Sequence, residues 1–211
     1  MKRDRTVSAN RDRFIDVAFS LFLRKGFADT SMSEIAREAG GSLATIYKYF
    51  GSKDALFAVV LQAKSSATYE RFGTLAKLLK NESIEESLHR FGLMILDLTL
   101  TEESAMAIRL MVGEGHKDNG KLARIFFEHG YGSPIKILRD FIAEKQEMGI
   151  FRPCDPFLAA GRFFWLVKEP RHFIFLISGE KPIISLDERK AIVCEATEFF
   201  LRAIAIDNKG S

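Results

Sequence analysis

The chain has 211 residues, of which 47% are hydrophobic and 28% are charged, with 15 Gly and 5 Pro. This length and composition exclude a disulfide-stapled peptide, a collagen-like fibre and a disordered chain, and they allow one large or two small domains with a real core. The two cysteines, Cys154 and Cys194, are far apart and lack a partner motif. This usage is typical of a reducing compartment and argues against a disulfide framework or a Cys-based zinc site.

The net charge of +3 is concentrated at the start of the chain. Residues 1–64 hold 11 Lys and Arg against 7 Asp and Glu, whereas residues 65–211 hold 20 against 21. We expect residues 1–8 to form a flexible basic arm. Such an arm on a near-neutral body suggests a polyanionic partner, either nucleic acid or a membrane surface, although a solvated tail is the commoner interpretation.

No targeting or membrane-spanning segment is predicted. The start of the chain lacks the run of about 7 to 15 apolar residues that a signal peptide needs. The longest apolar stretches, residues 163–167 and 173–177, fall well short of the roughly 20 residues that cross a bilayer. We therefore expect a cytoplasmic protein without a membrane partner.

Apolar residues in the first third of the chain recur at helical spacing. They predict a first helix at about residues 9–25, followed by Gly26 at a C-terminal cap position. Ser31 and Glu34 have the spacing of a capping box, which opens a second helix that runs to Ala39.

A short third helix follows the glycine pair that ends the second. Ser42 caps it, it ends near Phe50, and a long connecting helix then covers residues 53–80. Helices of about two turns are not stable alone, so the second and third helices need the first and the beginning of the fourth behind them. Residues 9–52 are therefore predicted to form a helix-turn-helix unit.

Longer helices are predicted in the remainder of the chain, residues 81–211. Proline at the first helical position marks two of the starts, and a second capping box at Ser185 opens the last helix. Pro170 is expected to kink or restart the helix before it. The predicted ranges are 83–100, 103–112, 120–129, 133–148, 155–168 and 185–206. Together with the first four, they predict an all-α fold of about nine or ten helices in two parts.

The third helix has two different faces on a helical wheel. Leu43, Ile46 and Phe50 share the core face, and Tyr47 lies on its border. The opposite face is polar, aromatic and cationic, and it comprises Ala44, Thr45, Lys48 and Tyr49. Such a helix suits the major groove of DNA, where cations and hydroxyls meet phosphates and small side chains approach base edges. From the helical wheel alone, it is equally plausible that this face is the ordinary solvent-exposed side of a helical bundle.

Residues 27–56, FADTSMSEIAREAGGSLATIYKYFGSKDAL, closely resemble the DNA-binding signature of the TetR (tetracycline repressor) family. The Gly-Phe loop, the Ile-Ala pair, the Thr-Ile-Tyr-Lys-Tyr-Phe core and the Ser-Lys start of the next helix occur at the family's spacing, and the match covers residues 11–64. The remaining residues fit the family's ligand-binding and dimerisation domain in length and helicity only. Where Gly41 stands, the family usually has a β-branched apolar residue, so we expect looser packing and more flexibility there.

The resemblance implies a DNA-binding regulator that acts as a homodimer. It places DNA contacts at Ser33, Ser42, Leu43, Ala44, Thr45, Tyr47, Lys48, Tyr49 and Lys53. Hydroxyls and Lys53 are suited to phosphates, whereas Leu43 and Ala44 would favour thymine methyl groups. Lys48 could reach a guanine or a phosphate, with phosphate slightly favoured.

Apolar faces near the end of the chain predict the dimer contact. One lies on the helix at 155–168 and the other on the last helix, with candidate residues Phe157, Gly161, Phe164, Phe199 and Ala203. Gly161 would permit close approach of two backbones. The alternative, that both faces are intramolecular core, stays open.

A ligand pocket is expected in the second part, because 13 of the 19 Phe and Trp165 lie after residue 64. Bulky, adaptable side chains suit a roomy apolar cavity with a few polar groups that orient a ligand. The candidates are Met94, Met106, Arg109, His116, Phe127, Trp165 and His172, although an ordinary core or surface role is commoner for each. The resemblance implies that a small, largely hydrophobic effector moves the fourth helix and releases the DNA.

Other functions find little support in the sequence. No phosphate loop, nucleophile elbow or His-Glu-x-x-His motif is present, so no enzyme and no cofactor is predicted. A metal site formed by His116, Glu128 and His129 is not expected, because the three residues do not include a third convincing ligand. The stronger alternative is a DNA-bound adaptor of the same fold that responds to a protein partner or to no ligand.

Overall fold

The computed structural model describes residues 2–78, 82–128 and 132–206. In this part of the chain the predicted all-α fold is confirmed, with eleven α-helices and a short 3-10 helix at Asp118–Gly120. The α-helices are α1 Lys2–Lys25, α2 Met32–Glu38, α3 Leu43–Phe50, α4 Lys53–Leu78, α5 Ile84–Thr99, α6 Glu102–Glu114, α7 Lys121–Phe126, α8 Gly132–Glu147, α9 Pro156–Lys168, α10 Arg171–Ser178 and α11 Leu186–Ile204. An isolated antiparallel bridge joins Phe151 and Ala205.

Several helices begin at a side-chain cap. The side chains of Ser31, Ser42 and Ser83 each accept a hydrogen bond from the backbone N–H three residues further on. Asp155 and Ser185 cap α9 and α11 in the same way. These bonds satisfy backbone donors that have no partner inside the helix, so the local sequence fixes the helix starts.

The first helix is longer than predicted. α1 begins at Lys2, so the expected arm at residues 1–8 is helical over its described part. Residues 2–25 contain neither Gly nor Pro, so nothing in the sequence interrupts helical hydrogen bonding. The apolar periodicity that marks the helix begins only at Phe14, and a polar stretch before it leaves no such signal.

Contacts along the chain divide it into two compact units. The N-terminal unit combines Met1–Ala67 with Met106–Gly130, and the C-terminal unit combines Thr68–Ala105 with Tyr131–Ser211. The sequence assigns the whole of residues 81–211 to one effector-binding and dimerisation domain. The second part of α6 and α7 instead belong to the N-terminal unit, because Leu122 is buried in its core and neighbouring apolar side chains pack against the same core.

The core of the N-terminal unit is aromatic. The rings of Phe22, Phe27 and Phe57 contact one another, with centroids 5.2 to 5.4 Å apart. Phe14 contacts Phe50 edge to face, with ring centroids 6.4 Å apart, and Ile46 is fully buried beside them. These contacts hold α3 against α1 and α1 against α4, and the buried Met32 and Ile35 attach α2 to the same core, as the short length of α2 and α3 requires.

The turn between α2 and α3 is a Schellman motif. The N–H of Gly41 donates to the carbonyl of Ala36 at 2.8 Å, and the N–H of Gly40 donates to the carbonyl of Arg37 at 3.1 Å. Gly40 has a φ of +68°, which favours glycine.

Gly41 is constrained by space and not by its backbone angles. A Cβ added there would lie 2.4 Å from Cζ of Phe14, which is itself buried. The expectation of looser packing at Gly41 is therefore wrong, because the Phe14 ring occupies the volume that a β-branched side chain would fill.

The C-terminal unit packs α5, α8, α9 and α11 around a second apolar core. The rings of Phe163 and Phe200 join α9 to α11, with centroids 5.1 Å apart. α5 and α11 approach closely at Gly92, where a Cβ would lie 2.5 Å from Cγ1 of Val193. No helix in the described part of the chain combines the length and the apolar character needed to cross a membrane.

The fit between Gly41 and Phe14 predicts strong coupling between the two positions. Gly41→Ala should lower the free energy of unfolding by about 1 to 3 kcal/mol, because the added methyl group overpacks the site. Phe14→Leu should also destabilise, since it leaves a void. The free energy of unfolding of the double variant, measured by urea denaturation, should be at least about 1 kcal/mol higher than the value expected if the two single losses were additive.

Gly113→Ala is the matched control, because a Cβ at this helical position meets nothing within 4 Å. It should be neutral or slightly stabilising. Additive losses at positions 14 and 41, or an unchanged Gly41→Ala protein, would show that the ring does not restrict the turn.

Candidate nucleic-acid interface

One side of α3 packs against the core, and the other side is exposed. Ile46 and Phe50 are buried, whereas Tyr47 is 49% exposed and Lys48 is exposed beside it. Lys48 makes no ion pair within the described residues. Six of the nine predicted DNA-contacting residues are exposed, namely Ser33, Ser42, Leu43, Ala44, Tyr47 and Lys48.

Leu43 differs from its place on the helical wheel. The wheel assigns it to the core face, but 45% of its surface is exposed. It is the first residue of α3, one turn before Ile46, and the preceding glycines carry no side chains that could cover it. An apolar side chain is thus presented at the N-terminal end of the helix.

Two of the predicted contacts also brace α3. Tyr49 is half-buried, and its ring lies 6.0 Å from the rings of both Phe14 and Phe50. The Thr45 hydroxyl lies 2.8 Å from the Ser42 hydroxyl, and the Thr45 N–H donates to that Ser42 oxygen at 3.1 Å. These side chains therefore fix the orientation of the exposed face.

The start of α2 is tied to the end of α1. Ser31 accepts the N–H of Glu34 at 3.1 Å, but the Glu34 carboxylate binds Lys25 and does not return to the cap, so the predicted capping box is only half formed. The hydrogen bond from Lys25 lowers the pKa of Glu34. Arg24 and Glu38 form a second pair between the same helices at 3.0 Å.

Lys53 has a structural role that the sequence did not reveal. Its Nζ donates to the carbonyls of Phe27, Ala28 and Thr30 at 2.8, 3.2 and 2.9 Å, and it lies 4.5 Å from the centre of the Phe27 ring. All three N–H bonds of the ammonium are thus directed at the α1–α2 turn. The resemblance implies a phosphate contact for Lys53, but here the ammonium holds the turn.

The end of α6 holds the same turn from another direction. Glu114 accepts the N–H of Ala28 at 2.8 Å, and Lys121 of α7 pairs with Asp54 of α4 at 2.7 Å. These side chains help to line a cavity of about 270 Å³ within the N-terminal unit. The sequence does not reveal these contacts, because residues 67 and 86 positions apart leave no local pattern.

The predicted ligand-pocket residues fall into both units. Met106, Arg109, His116 and Phe127 belong to the N-terminal unit, where His116 is exposed. Met94, Trp165 and His172 belong to the C-terminal unit. Of these, Trp165 and His172 are brought together by Lys168.

Lys168 is a buried cation that the sequence did not single out. Only 1% of its side chain is exposed; it pairs with Glu169, lies 3.0 Å from Nδ1 of His172 and lies 3.9 Å from the centre of the Trp165 ring. Burial lowers the pKa of Lys168, and Glu169 opposes that shift. Burial, and then the charge of Lys168, lower the pKa of His172.

Four of the five predicted dimer residues are accessible. Phe157, Phe199 and Ala203 are exposed, and a Cβ at Gly161 would meet nothing within 4 Å. Phe164 is fully buried, so its assignment to a dimer contact is wrong: it lies on the inward side of α9, in the core of the C-terminal unit. The outward side of α9 instead adds three exposed apolar residues, Leu158, Trp165 and Leu166.

The described residues contain no group of three or more His, Cys, Asp or Glu side chains that could hold a metal ion. His129, one of the three considered in the sequence, lies outside the described residues.

Two family models match this chain. The model described as "Bacterial regulatory proteins, tetR family" matches residues 14–60, which include α2 and α3. The model described as "AefR-like transcriptional repressor, C-terminal domain" matches residues 86–205, more than half of the chain.

Solved structures and curated relatives agree with these matches. The "Flavonoid-responsive Regulator FrrA" is 30% identical, with a TM-score of 0.80 over 95% of this chain and 99% of that chain. A TetR-family regulator from Mesorhizobium loti MAFF303099 shares the fold at 23% identity, with a TM-score of 0.78 over 95% and 98% of the two chains. The HTH-type transcriptional regulator Rv1255c of Mycobacterium tuberculosis (strain ATCC 25618 / H37Rv) is 49% identical over 45 residues.

The match to Rv1255c spans only 22% of that protein and 21% of this chain. The two family models and the near full-length likeness to FrrA extend well beyond that segment. This chain therefore belongs to the TetR family of bacterial transcriptional regulators, with a helix-turn-helix DNA-binding domain at its N-terminus.

Proposed function

We propose that the protein is a cytoplasmic repressor that binds a pseudo-palindromic DNA site as a homodimer and is released by a small, largely hydrophobic effector. The observation that carries this proposal is the exposed side of α3, where Tyr47 and Lys48 project next to the uncovered Leu43 and Ala44. A two-turn helix fixed from behind by Ile46 and Phe50 has the size and rigidity that insertion into the major groove requires.

The exposed side chains divide by chemistry. Lys48 and the Tyr47 hydroxyl suit phosphate oxygens, which position the protein without reading sequence. Leu43 and Ala44 lack hydrogen-bonding side chains, so at base edges they favour the thymine methyl group. Ser33 and Ser42, at the starts of α2 and α3, lie where backbone N–H groups also attract phosphate.

The apolar outward side of α9 supports a homodimer. Phe157, Leu158, Trp165 and Leu166 are exposed around Gly161 on one helix. Water contact with this much apolar surface is unfavourable by roughly 25 cal/mol per Å², so a second copy that covers it gains stability. Phe199 and Ala203 on α11 are also exposed, as a four-helix contact between two copies would require.

FrrA is by its description responsive to flavonoids, and we extend this class to the effector of the present chain as a first hypothesis. The aromatic and methionine side chains of the C-terminal unit, Met94 among them, are compatible with a planar aromatic ligand. To weaken operator binding 100-fold, the effector must favour the non-binding state by only about 2.7 kcal/mol.

Residues at the end of α6 offer a route from the effector to α3. α4 and α6 both run from one unit into the other, and α6 ends at Glu114, which holds the Ala28 N–H. A shift of α6 would pull on the α1–α2 turn, from which α2 begins. In this proposal the signal reaches the DNA-binding helices through Glu114, which already accepts a hydrogen bond from the α1–α2 turn.

Lys48 and Lys53 provide a direct test of the DNA interface. A binding site is first selected from genomic fragments with the purified protein, and affinity is then measured by fluorescence anisotropy across a salt series. Lys48→Met should weaken binding and reduce the slope of log K against log salt by about 2 per dimer, because two phosphate contacts are lost. Its thermal unfolding should be unchanged.

Lys53→Met is the matched control, because Lys53 lies five residues after Lys48 and its ammonium donates hydrogen bonds to backbone carbonyls. It should lower the free energy of unfolding by about 1 to 3 kcal/mol and leave the salt slope unchanged well below the unfolding temperature. The reverse pattern, a changed salt slope only in Lys53→Met, would show that Lys53 and not Lys48 contacts the phosphate. If the protein selects no DNA fragment at all, the proposed function is refuted.

Gly161 and Gly113 give an equally matched test of the dimer. Both are helical glycines at which a Cβ meets nothing within 4 Å. Gly161→Glu places a charge in the middle of the apolar side of α9 and should raise the dimer dissociation constant at least 100-fold, measured by analytical ultracentrifugation. Gly113→Glu should remain dimeric; if both variants do, α9 is not the contact.

A further inference from the structure

A cavity of about 270 Å³ lies within the N-terminal unit, where three segments of the chain meet. The α1–α2 turn contributes Phe27 and Ala28, and the start of α4 contributes Lys53. The third segment runs from Glu114 at the end of α6 to Leu122 in α7. No residue of α3, all of which the structure describes, lines the cavity, so it is separate from the exposed side of that helix.

Among the described side chains that line this cavity, positive charges outnumber negative ones. Three ammonium groups line it, those of Lys53, Lys117 and Lys121. Asp54 pairs with Lys121 at 2.7 Å, and Glu114 pairs with Lys117 at 3.4 Å. The Lys53 ammonium instead donates to three backbone carbonyls, which are neutral. One positive charge is therefore left without a balancing carboxylate among these residues, and a monoanion would balance it.

Lys117 is the lysine that can donate a hydrogen bond to such an anion. Its Nζ lies 3.4 Å from Oε1 of Glu114, which is long for a charge-assisted hydrogen bond, and 56% of its side chain is exposed. The other oxygen of Glu114 accepts the N–H of Ala28 at 2.8 Å. An ammonium group has three N–H donors, so Lys117 can bind an anion while Glu114 stays on the turn. Lys53 directs its N–H bonds at carbonyls and contributes its charge alone.

The cavity also has an apolar part. Leu122 is 6% exposed, and the Phe27 ring packs against the rings of Phe22 and Phe57. Ala28 adds a methyl group to the same lining. A water molecule in the liquid takes about 30 Å³, so the cavity has room for roughly nine or ten non-hydrogen atoms. This is the size of a compound with one substituted ring, and a larger compound would not be enclosed.

We propose that this cavity binds a small organic monoanion, a carboxylate on an apolar body of about one ring, and that Lys117 donates the hydrogen bond that holds the carboxylate. A neutral ligand leaves the positive charge unbalanced, and a dianion such as a phosphate ester leaves a negative charge in excess. The site goes beyond the proposed function, because it lies in the DNA-binding unit and does not depend on an effector in the C-terminal unit. A bound anion contacts the α1–α2 turn, from which α2 begins.

The charge preference is tested by fluorine-19 NMR on the full chain at pH 7 and constant ionic strength. The probes are 4-fluorobenzoate, 4-fluorobenzamide and 4-fluorobenzamidine, which have nearly the same shape and are negative, neutral and positive. 4-Fluorobenzoate should bind with a dissociation constant on the order of 1 mM or lower, and the other two probes should bind at least about tenfold more weakly. An equal concentration of inorganic phosphate, which has no apolar body, should not displace 4-fluorobenzoate.

Variants of Lys117 test its role as the donor. Lys117→Met should weaken the binding of 4-fluorobenzoate about tenfold and remove its preference over the amide. Lys117→Arg should keep that preference, because a guanidinium group also donates to a carboxylate. Lys190→Met is the matched control, since it removes the same charge from an exposed lysine of α11, and its affinity for 4-fluorobenzoate should equal that of the wild-type protein.

Carbon-13 labelling of alanine methyl groups locates the bound probe. The methyl signal of Ala28 should shift and saturate with 4-fluorobenzoate, and that of Ala191, exposed on α11, should not; both signals are assigned by substitution with glycine. The inference is overturned by no binding, by equal affinity for the three probes, or by displacement with phosphate. Equal losses in Lys117→Met and Lys190→Met, or a shift at Ala191 as large as that at Ala28, would overturn it as well.

Discussion

The attachment of α3 to the core behind it is the constraint on which the rest of the structure depends. Ile46 and Phe50, one turn apart, are buried against an aromatic core that includes Phe14. A helix of eight residues has little stability of its own, so these two side chains supply the packing that fixes it. Because they occupy one side of the helix, Tyr47 and Lys48 are left exposed on the other.

Side-chain hydrogen bonds also fix the α1–α2 turn. Lys53 donates to three of its carbonyls, and Glu114 accepts one of its N–H groups. The two residues come from α4 and α6, the helices that run from one unit into the other. The turn that leads into the DNA-binding helices is thus hydrogen-bonded to both of these longer helices.

Local sequence predicted much of the fold because helix starts are decided locally. A serine or aspartate followed at the right spacing by helix formers specifies a cap, as at Ser42 and Asp155. The start of α1 was missed since a polar stretch carries no periodic signal.

The errors at single residues have a common physical cause. Leu43 is exposed because the neighbouring turn carries no side chains, and Phe164 is buried because α9 presents its other side outward. Lys53 and Lys48 are indistinguishable as sequence letters, yet one ammonium binds carbonyls and the other makes no ion pair within the described residues. Which partner a side chain meets depends on residues distant in the chain, and one sequence does not show it.

Photo-crosslinking tests the central claim, that the exposed side of α3 lies against DNA, most directly. Benzoylphenylalanine is introduced in place of Tyr47 or, as a control, of Phe173, an exposed aromatic residue of the C-terminal unit. After irradiation with the selected DNA site, position 47 should crosslink to the duplex and position 173 should not. A crosslink at 173 with none at 47 would contradict the account.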